Sequence, residues 1–472
     1  MSSVPMTHQQ PARSTLSHRF LRRPWLLALS ALVIVAGSYG VAHLGTVTPS
    51  SAPAASVAAV VPLPDGPINP AGESTARIDQ AIGVWSGNLQ RDAEDFVSAT
   101  NLADLYYSRA RLTGNVDDYV RATEAVQRAL TTYPAGLAAQ QLRAQLLFAT
   151  HDFAGALSAA QAMYRAHPDQ VAALATMGDA QLELGRYDDA ARTIATLGRV
   201  APGAAVTARQ AHLAALRGDV AGASRLAAQA IKQSTAAGAS PTDRSWYEYL
   251  AGYLAFQFGD LATANRRFSA AIADWPGSYL AIAGLARTRA AQGQAPDAIG
   301  LYQKAIAIVP QPEFLAALGD LYAQSGRVAD ATAQYDVVRA IAKLQAIQAQ
   351  VYNRQLVLFD ANHREQPAEA LALAERELAV RKDVYGWDAY AWALFANGRF
   401  AEADAAEVSA RAQGTVDPLL DYHAGMIAAA LGRDTDAARL LHAALDRNPG
   451  FDPMQAARAR AELAKLGGGM AR

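Results

Sequence analysis

The sequence predicts an all-α protein, an α-solenoid of about ten helical hairpins that follows one N-terminal transmembrane helix. Three observations support this fold class. A motif recurs with a period near 34 residues, alanine is abundant, and one uncharged apolar stretch lies near the N-terminus. Alanine is the strongest intrinsic helix former. Long alternating runs of β-branched residues, which would indicate a sheet, are absent after residue 70.

Residues 1–23 form a basic leader, and residues 24–45 form a predicted transmembrane signal anchor. The leader contains four arginines and no acidic residue, while the run from Trp25 to Gly45 is uncharged and near the ~20 residues that span a bilayer. By the positive-inside rule the leader is cytoplasmic. We therefore expect a single-pass protein of the bacterial inner membrane whose repeat domain is periplasmic or otherwise extracytoplasmic. Secretion after signal-peptide cleavage is the alternative, because small residues follow at 51–54.

A linker and a folded part follow the apolar segment. Residues 46–73 are rich in proline and alanine, and the prolines block regular helix, so we expect a semi-extended spacer. The solenoid with its terminal cap helices is predicted to occupy residues 74–466, where Pro453 begins the last helix and glycines end it. Residues 467–472 would then be a flexible tail.

The repeat is defined by an alanine that closes a motif such as Gly-Arg-Tyr-Asp-Asp-Ala, which ends at Ala190. We call this residue the marker alanine and number the repeat units from one to ten. The successive spacings are 34, 34, 33, 41, 34, 33, 39, 33 and 34 residues. The marker alanines are Ala122, Ala156, Ala190, Ala223, Ala264, Ala298, Ala331, Ala370, Ala403 and Ala437.

Three other positions keep the same register. A glycine lies five residues before the marker in seven units, a proline lies twelve residues after it in six units, and a small residue lies twelve residues before it in nine units. The glycine ends the first helix of each hairpin, helix A, in a left-handed conformation. The small residues allow helix A to approach the second helix, helix B, and the proline ends helix B.

The chain from about Leu102 to Pro449 resembles the tetratricopeptide-repeat family in its period and in these marker positions. The resemblance implies antiparallel helix pairs stacked in a right-handed superhelix, with helix A lining a concave groove. The stretch from Glu377 to Pro453 also resembles the C-terminal part of bacterial exported or membrane-anchored tetratricopeptide-repeat proteins, a resemblance that implies no particular activity. The two longer spacings indicate inserts near residues 233–243 and 340–366.

Catalytic, metal-binding and nucleic-acid-binding signals are missing from the sequence. The chain has no cysteine, no nucleotide-binding or hydrolase motif, and no two histidines spaced to share a helix face. Without the four leader arginines, 38 basic residues stand against 43 acidic ones, a net charge of −5 that gives no electrostatic reason to bind nucleic acid. We therefore expect a protein that is not an enzyme and has no cofactor or metal. Its expected partners are a protein or peptide ligand and, through the N-terminal helix, the membrane.

Candidate partner-binding residues follow from counting back from the marker alanine to the helix A positions that should face the groove. These positions carry aromatic residues mainly in units five to ten. Aromatic side chains give a large contact area at low entropic cost, which is typical of recognition surfaces. The candidates are Trp246, Tyr249, Tyr253, Phe256, Tyr352, Phe359, Tyr385, Trp392, Phe395 and Tyr422.

Two other interpretations of these aromatic residues stay open. Aromatic grooves also stack on sugars, so the alternative function is a carbohydrate-binding or polysaccharide-export accessory protein. The same side chains would equally serve as packing residues beside the two inserts. The recognition hypothesis predicts that four of them are exposed to solvent in the free protein: Trp246, Tyr253, Trp392 and Phe395.

Overall fold

The computed structural model describes residues 72–347 and 354–470. Across these residues the chain forms 22 α-helices and no strand, in agreement with the predicted all-α class. None of these helices is both long enough and apolar enough to cross a membrane. The described residues exclude the leader, the predicted transmembrane segment, most of the linker and Tyr352. The membrane anchor therefore stays a prediction.

The helices are α1 (Gly72–Arg91), α2 (Phe96–Thr113), α3 (Val116–Thr132), α4 (Leu137–Ala149), α5 (Phe153–Ala166), α6 (Val171–Glu183), α7 (Tyr187–Val200), α8 (Ala204–Leu216), α9 (Val220–Ala236), α10 (Pro241–Gln257), α11 (Leu261–Asp274), α12 (Tyr279–Ala291), α13 (Ala295–Ile308), α14 (Pro312–Gln324), α15 (Val328–Ile347), α16 (Arg354–His363), α17 (Pro367–Val380), α18 (Val384–Ala396), α19 (Phe400–Ala410), α20 (Pro418–Ala430), α21 (Asp434–Arg447) and α22 (Pro453–Met470).

Consecutive helices pack as the predicted hairpins. Unit one consists of α2 and α3, unit ten consists of α20 and α21, and α1 and α22 flank the array. Helix A packs on helix B of its own unit and on helices of the next unit, so a continuous core runs along the repeats. The prediction of about ten helical hairpins is confirmed.

The marker positions have the environments that the sequence predicts. Every marker alanine is buried, and nine of the ten have no exposed surface, because helix A and helix B meet there. All seven marker glycines have φ between 70° and 85°, the left-handed region expected at the end of helix A. A Cβ added to Gly252 would lie 2.8 Å from the Phe268 ring on helix B, so only a small residue fits at this point of the hairpin.

Local chemistry also sets where the helices begin and end. Asp152, Asp219 and Asp260 cap helix B in three units, and each carboxylate accepts a hydrogen bond of 2.8–2.9 Å from the backbone N–H three residues later. Pro134 follows Tyr133, the residue that caps the C-terminus of α3. The other marker prolines stand at the same place in their units, so proline ends helix B as predicted.

The structure differs from the sequence prediction at the C-terminus. α22 continues through Gly467 to Met470, so the helix end predicted at residue 466 is wrong. A glycine costs only about 1 kcal/mol relative to alanine in a helix, which does not end a helix that no proline follows. The insert after unit four lengthens the helices on both sides of it, and α9 and α10 have 17 residues each.

The solenoid closes on itself. The turns between helix A and helix B in units three, four and five lie against the loops that lead into α18, α20 and α22. We call this contact the seam. At one end of it, Lys382 N donates a hydrogen bond to Glu183 O at 3.0 Å, and Val384 N donates to Tyr187 Oη at 2.8 Å.

Apolar and polar contacts continue along the seam. Val384 and Leu420 are buried in the same hydrophobic cluster as Leu174 of unit three. Gln257 Nε2 donates a hydrogen bond of 3.0 Å to Val416 O, which joins the end of α10 to the loop before α20. The concave side is therefore not the fully open groove that the family resemblance implied, because the C-terminal units lie across it and turn it into the wall of a partly enclosed cavity.

Candidate functional site

A cavity of about 220 Å³ lies at the centre of the closed solenoid. Its wall is formed mainly by the A helices of units three to ten, from α6 to α20. The prediction that helix A lines the concave side is therefore confirmed for these eight units. We call this feature the central cavity.

Half of the predicted partner-binding aromatic residues line the central cavity. Helix α10 supplies four of them, and its first turn is held by Ser240, whose hydroxyl accepts a hydrogen bond of 3.1 Å from Asp243 N. The first turn of α18 supplies the fifth. Trp246 and Tyr253 are half-buried, as expected for side chains that border an interior cavity. The five residues are Trp246, Tyr249, Tyr253, Phe256 and Tyr385.

Four other candidates lie in the hydrophobic core, and the predicted exposure of Trp392 and Phe395 is wrong. Trp392 is 2% exposed and Phe395 is 7% exposed. The Trp392 ring stacks on the His423 ring at 4.1 Å, and its Nε1 donates a hydrogen bond of 2.7 Å to Asn362 Oδ1. The cause is that α20 packs on α18 and places the Tyr422 and His423 rings against Trp392. The four buried candidates are Phe359, Trp392, Phe395 and Tyr422.

A cluster of buried ion pairs closes one side of the cavity. Arg354 Nη2 lies 2.5 Å from Asp383 Oδ1, and its Nε lies 3.3 Å from Glu377 Oε1. Arg381 Nε lies 2.5 Å from Glu183 Oε2 on the other side of the seam. We call these five side chains the ion cluster. Within this cluster only the Arg381–Glu183 pair crosses the seam, and removing one partner would leave an uncompensated buried charge, which commonly costs about 3–5 kcal/mol.

The ion cluster carries three carboxylates for two guanidinium groups. Burial raises the pKa of Glu183, and the neighbouring Asp383 carboxylate adds to this effect while Arg381 opposes it. Burial also raises the pKa of Glu377, against Arg354 and Arg381. The excess of negative charge therefore disfavours full ionisation of the cluster, and a proton is retained more readily there than on a free carboxylate.

Arg287 and Glu313 are two further charged residues of the cavity wall. The Arg287 guanidinium carbon lies 4.5 Å from the centre of the Phe256 ring, and its Nη2 donates a hydrogen bond of 3.3 Å to Phe451 O. Burial lowers the pKa of Arg287, but Glu313, Tyr302, Tyr253 and Asp417 together outweigh this effect, so the pKa is raised. Burial raises the pKa of Glu313, and Arg287 opposes that rise.

Asp417 and His212 are two further titratable residues of the cavity wall. Asp417 caps α20 by accepting a hydrogen bond of 2.8 Å from Leu419 N, and it also accepts one of 3.1 Å from Tyr385 Oη. Burial raises the pKa of Asp417 to about 6. Burial lowers the pKa of His212 to about 4, so this imidazole is neutral at neutral pH.

The sequence analysis missed the charged residues of the cavity, although the same count reaches them. Arg287 lies eleven residues before the marker alanine of unit six, the position that Tyr253 holds in unit five. Glu313 lies eighteen residues before the marker of unit seven, the position that Trp246 holds in unit five. The site residues predicted from these positions are all aromatic. The sequence does contain a signal for these cavity residues, namely a charged residue at a position that faces the groove.

The fold and the site define the chain as a helical-repeat solenoid closed around a central cavity. Two stretches, residues 147–213 and 255–319, match the family model described as tetratricopeptide repeat. These matches support the assignment of the repeat units to the tetratricopeptide class. No curated protein matches the chain.

Solved structures similar to this one include a monomeric mutant of IFIT1 with m7Gppp-AAAA and a monomeric mutant of IFIT1 with Gppp-AAAA. Each is 15% identical in sequence, and the alignment covers 72% of this chain and 77% of that chain. The TM-score is 0.46 in both cases. This similarity is too low to carry an argument about the ligand of this chain.

Proposed function

We propose that the chain is a membrane-tethered repeat scaffold that binds a protein or peptide partner, part of which occupies the central cavity. Tetratricopeptide-type repeats suggest a protein-interaction scaffold, and the uncharged run from Trp25 to Gly45 supports the tether. The observation that carries the proposal is that aromatic and charged side chains from the A helices of eight units converge on one cavity.

The location and the class of partner belong to the same proposal. The arginine-rich leader supports an orientation with the repeat domain on the extracytoplasmic side of the bacterial inner membrane, where it would help to organise an envelope complex. The net charge of −5 outside the leader favours a polypeptide over a nucleic acid. We assign no catalytic role. Within the described residues, no group of three or more histidine, aspartate or glutamate side chains could hold a metal ion.

The size of the cavity limits what part of a partner it can hold. Small-molecule pockets commonly measure about 300–1,000 Å³, and an α-helix with its side chains is about 10–12 Å wide. A volume of about 220 Å³ admits neither a helix nor a folded segment. We therefore expect one residue of the partner, or the end of an extended segment, to enter the cavity while the rest of the partner stays outside.

The test is recovery of the partner with cavity variants of the full chain. Membranes that contain the tagged wild type, Trp246→Ala or Tyr253→Ala are solubilised, and co-purifying polypeptides are quantified by mass spectrometry. Truncation of a hot-spot residue commonly costs about 2 kcal/mol or more of binding, so a specific partner should be depleted at least about tenfold. Trp275→Ala is the control, because this tryptophan is half-buried and does not line the cavity.

Recovery of the same polypeptides with all four proteins would overturn the proposal that the cavity binds the partner. The carbohydrate alternative is tested on a glycan array with the same variants. It is favoured by the combination of ring faces and charged hydrogen-bonding groups in one cavity. Glycan binding that Trp246→Ala abolishes, together with no depleted polypeptide, would replace the scaffold by the carbohydrate-binding function.

A further inference from the structure

Some charged side chains of the central cavity form ion pairs with one another, and others do not. Three arginines and four acidic residues line it. Arg354 and Arg381 are neutralised within the ion cluster. Arg287 and Glu313, in contrast, take part in none of the ion pairs found in the described part of the chain. The cavity therefore contains one cationic and one anionic side chain that do not neutralise each other through a direct contact.

These two side chains lie in the same neighbourhood as the tyrosines of α10. After burial itself, Arg287 and Glu313 are the first charged groups to influence each other's pKa. Burial, Tyr253 and Glu313 together raise the pKa of Tyr249, while Arg287 opposes this. Phe256 lies under the Arg287 guanidinium. A positive group, a negative group and aromatic rings therefore border one region of the cavity.

The volume of the cavity matches a ligand with one ring and a few polar atoms. A dry engineered cavity of about 150 Å³ holds benzene. The central cavity measures about 220 Å³, which leaves room for a ring and an attached polar group. It is smaller than the pockets of about 300–1,000 Å³ that take drug-sized ligands.

We propose that the central cavity is selective for a dipolar group of the α-amino-acid type. The ligand carboxylate pairs with Arg287, the ligand ammonium pairs with Glu313, and an apolar side chain lies against Tyr249, Tyr253 and Phe256. This inference goes beyond the proposed function, because a polypeptide carries only one of the two charges at either end, so the dipolar ligand is a separate small molecule. Arginine suits the carboxylate because its planar guanidinium presents two parallel donors to the two oxygens.

Ligands with a single charge fit this wall less well. An anion such as phosphate would meet Arg287, but the carboxylates of Glu313 and Asp417 line the same cavity and repel it. A cation would be attracted by these carboxylates and repelled by Arg287. A dipolar ligand satisfies both side chains at once, and each pairing offsets part of the cost of holding a charge in a partly buried site.

The experiment is titration calorimetry on the full chain in detergent with four probes of matched side chain. L-phenylalanine has both charges, N-acetyl-L-phenylalanine lacks the ammonium, and L-phenylalanine amide lacks the carboxylate. The dipeptide glycyl-L-phenylalanine has both charges at a larger separation. Because a hydrogen bond to a charged group is worth a factor of about ten or more in affinity, each blocked form should bind at least about tenfold more weakly than L-phenylalanine.

Two variants assign each ligand charge to its residue. In Arg287→Gln, L-phenylalanine and its amide should bind with equal affinity, because the partner of the carboxylate is gone. In Glu313→Gln, L-phenylalanine and its N-acetyl form should become equal. Arg244→Gln is the matched control: Arg244 pairs with Asp274 at 2.7 Å outside the cavity, so its replacement should leave the preference for L-phenylalanine unchanged. Circular dichroism melting verifies that each variant folds.

Two of the possible results identify the source of the ligand, and two others would overturn the inference. Tighter binding of L-phenylalanine supports a free amino acid, and tighter binding of the dipeptide supports a short peptide. Equal binding of L-phenylalanine and its N-acetyl form to the wild type would overturn the dipolar inference in favour of a terminal carboxylate. Binding of none of the probes would also overturn it. The scaffold function is judged separately, by the polypeptides depleted from the Trp246→Ala purification.

Discussion

Tyr253 and Trp392 occupy the same position of the repeat, eleven residues before the marker alanine, but their environments differ. Tyr253 borders the central cavity, whereas Trp392 is 2% exposed and stacks on His423. The difference comes from the neighbours of the helix and not from the helix itself, because α20 packs on α18 and places Tyr422 and His423 against Trp392. Repeat position alone therefore does not decide whether an aromatic residue binds or packs.

This difference predicts two stability effects. Trp392→Ala should lower the free energy of unfolding by about 3–5 kcal/mol, because it empties a fully packed site and leaves Asn362 Oδ1 without its indole donor. Tyr253→Ala should cost less, because one side of the ring already borders the cavity. Urea unfolding followed by circular dichroism measures both. Equal losses for the two variants would contradict the assignment of Tyr253 to the cavity wall.

The environments of some residues could be predicted from the sequence and those of others could not, and the reason is physical. Marker residues such as Ala190 and Gly252 could be predicted because their contacts lie within one hairpin, sixteen residues or fewer away. Trp392 contacts His423 of α20 and Asn362 of α16, which belong to other units, and the repeat period does not describe these contacts. The charged cavity residues Arg287 and Glu313 lie at countable positions on the A helices of adjacent units, so only the cover that the C-terminal units place over them depends on the closure of the solenoid.

At the scale of a helix, the acidic caps of the repeat have two different roles. Asp260 caps α11 at the surface, where hydrogen bonds from Thr263 lower its pKa. Asp417 caps α20 inside the cavity, where burial raises its pKa to about 6. Capping hydrogen bonds favour the ionised carboxylate at both sites, but burial outweighs them at Asp417 and not at Asp260.

This contrast predicts an effect of pH on Asp417→Asn. Because the folded pKa of about 6 is above the ordinary 3.8, Asp417 contributes stability that is fully present below pH 3.8 and is lost as pH rises through 6. Asparagine keeps a cap without the charge. The variant should therefore melt near the wild-type temperature at about pH 4 and above it at about pH 7, with the change centred between the two pKa values.

Asp260→Asn is the matched control for this measurement. Its lowered pKa means that the carboxylate stabilises the fold when ionised, and this contribution is lost only as pH falls through the low folded pKa. Its melting temperature should stay below that of the wild type by a constant amount between about pH 5 and about pH 7. Thermal melts across the pH range test both variants, and a pH-independent difference for Asp417→Asn would contradict the buried position of that cap.

At the scale of the whole molecule, the seam changes how the repeats depend on one another. In an open solenoid each repeat contacts only its neighbours, and stability is a sum over adjacent units. Here Thr415 Oγ1 donates a hydrogen bond to Leu216 O, and Arg381 pairs with Glu183, so units three and four depend directly on units nine and ten. These contacts join residues about 200 positions apart, a separation that the repeat period does not reveal. The closed cavity could not be predicted from the sequence for this reason.

Two marker glycines provide a matched test of the seam. Gly218 and Gly293 both have a φ of 75°, so an alanine at either position incurs the same left-handed backbone strain, about 1–2 kcal/mol. A Cβ on Gly218 would collide with the Gly414 carbonyl oxygen across the seam, whereas a Cβ on Gly293 would contact nothing within 4 Å. Gly218→Ala should therefore lose more stability than Gly293→Ala, because it also forces the seam apart.

Hydrogen exchange measured by mass spectrometry locates this loss. In Gly218→Ala, exchange should rise at the substituted turn and also in the loop and first turn of α20, around Val416, which lies on the other side of the seam. In Gly293→Ala, the rise should stay within unit six and its neighbours. Opening of the seam should also expose the central cavity, so the quenching of Trp246 fluorescence by acrylamide should increase in Gly218→Ala alone. An equal, local rise of exchange in both variants would show that the units behave as a linear array and that the seam contributes nothing to stability.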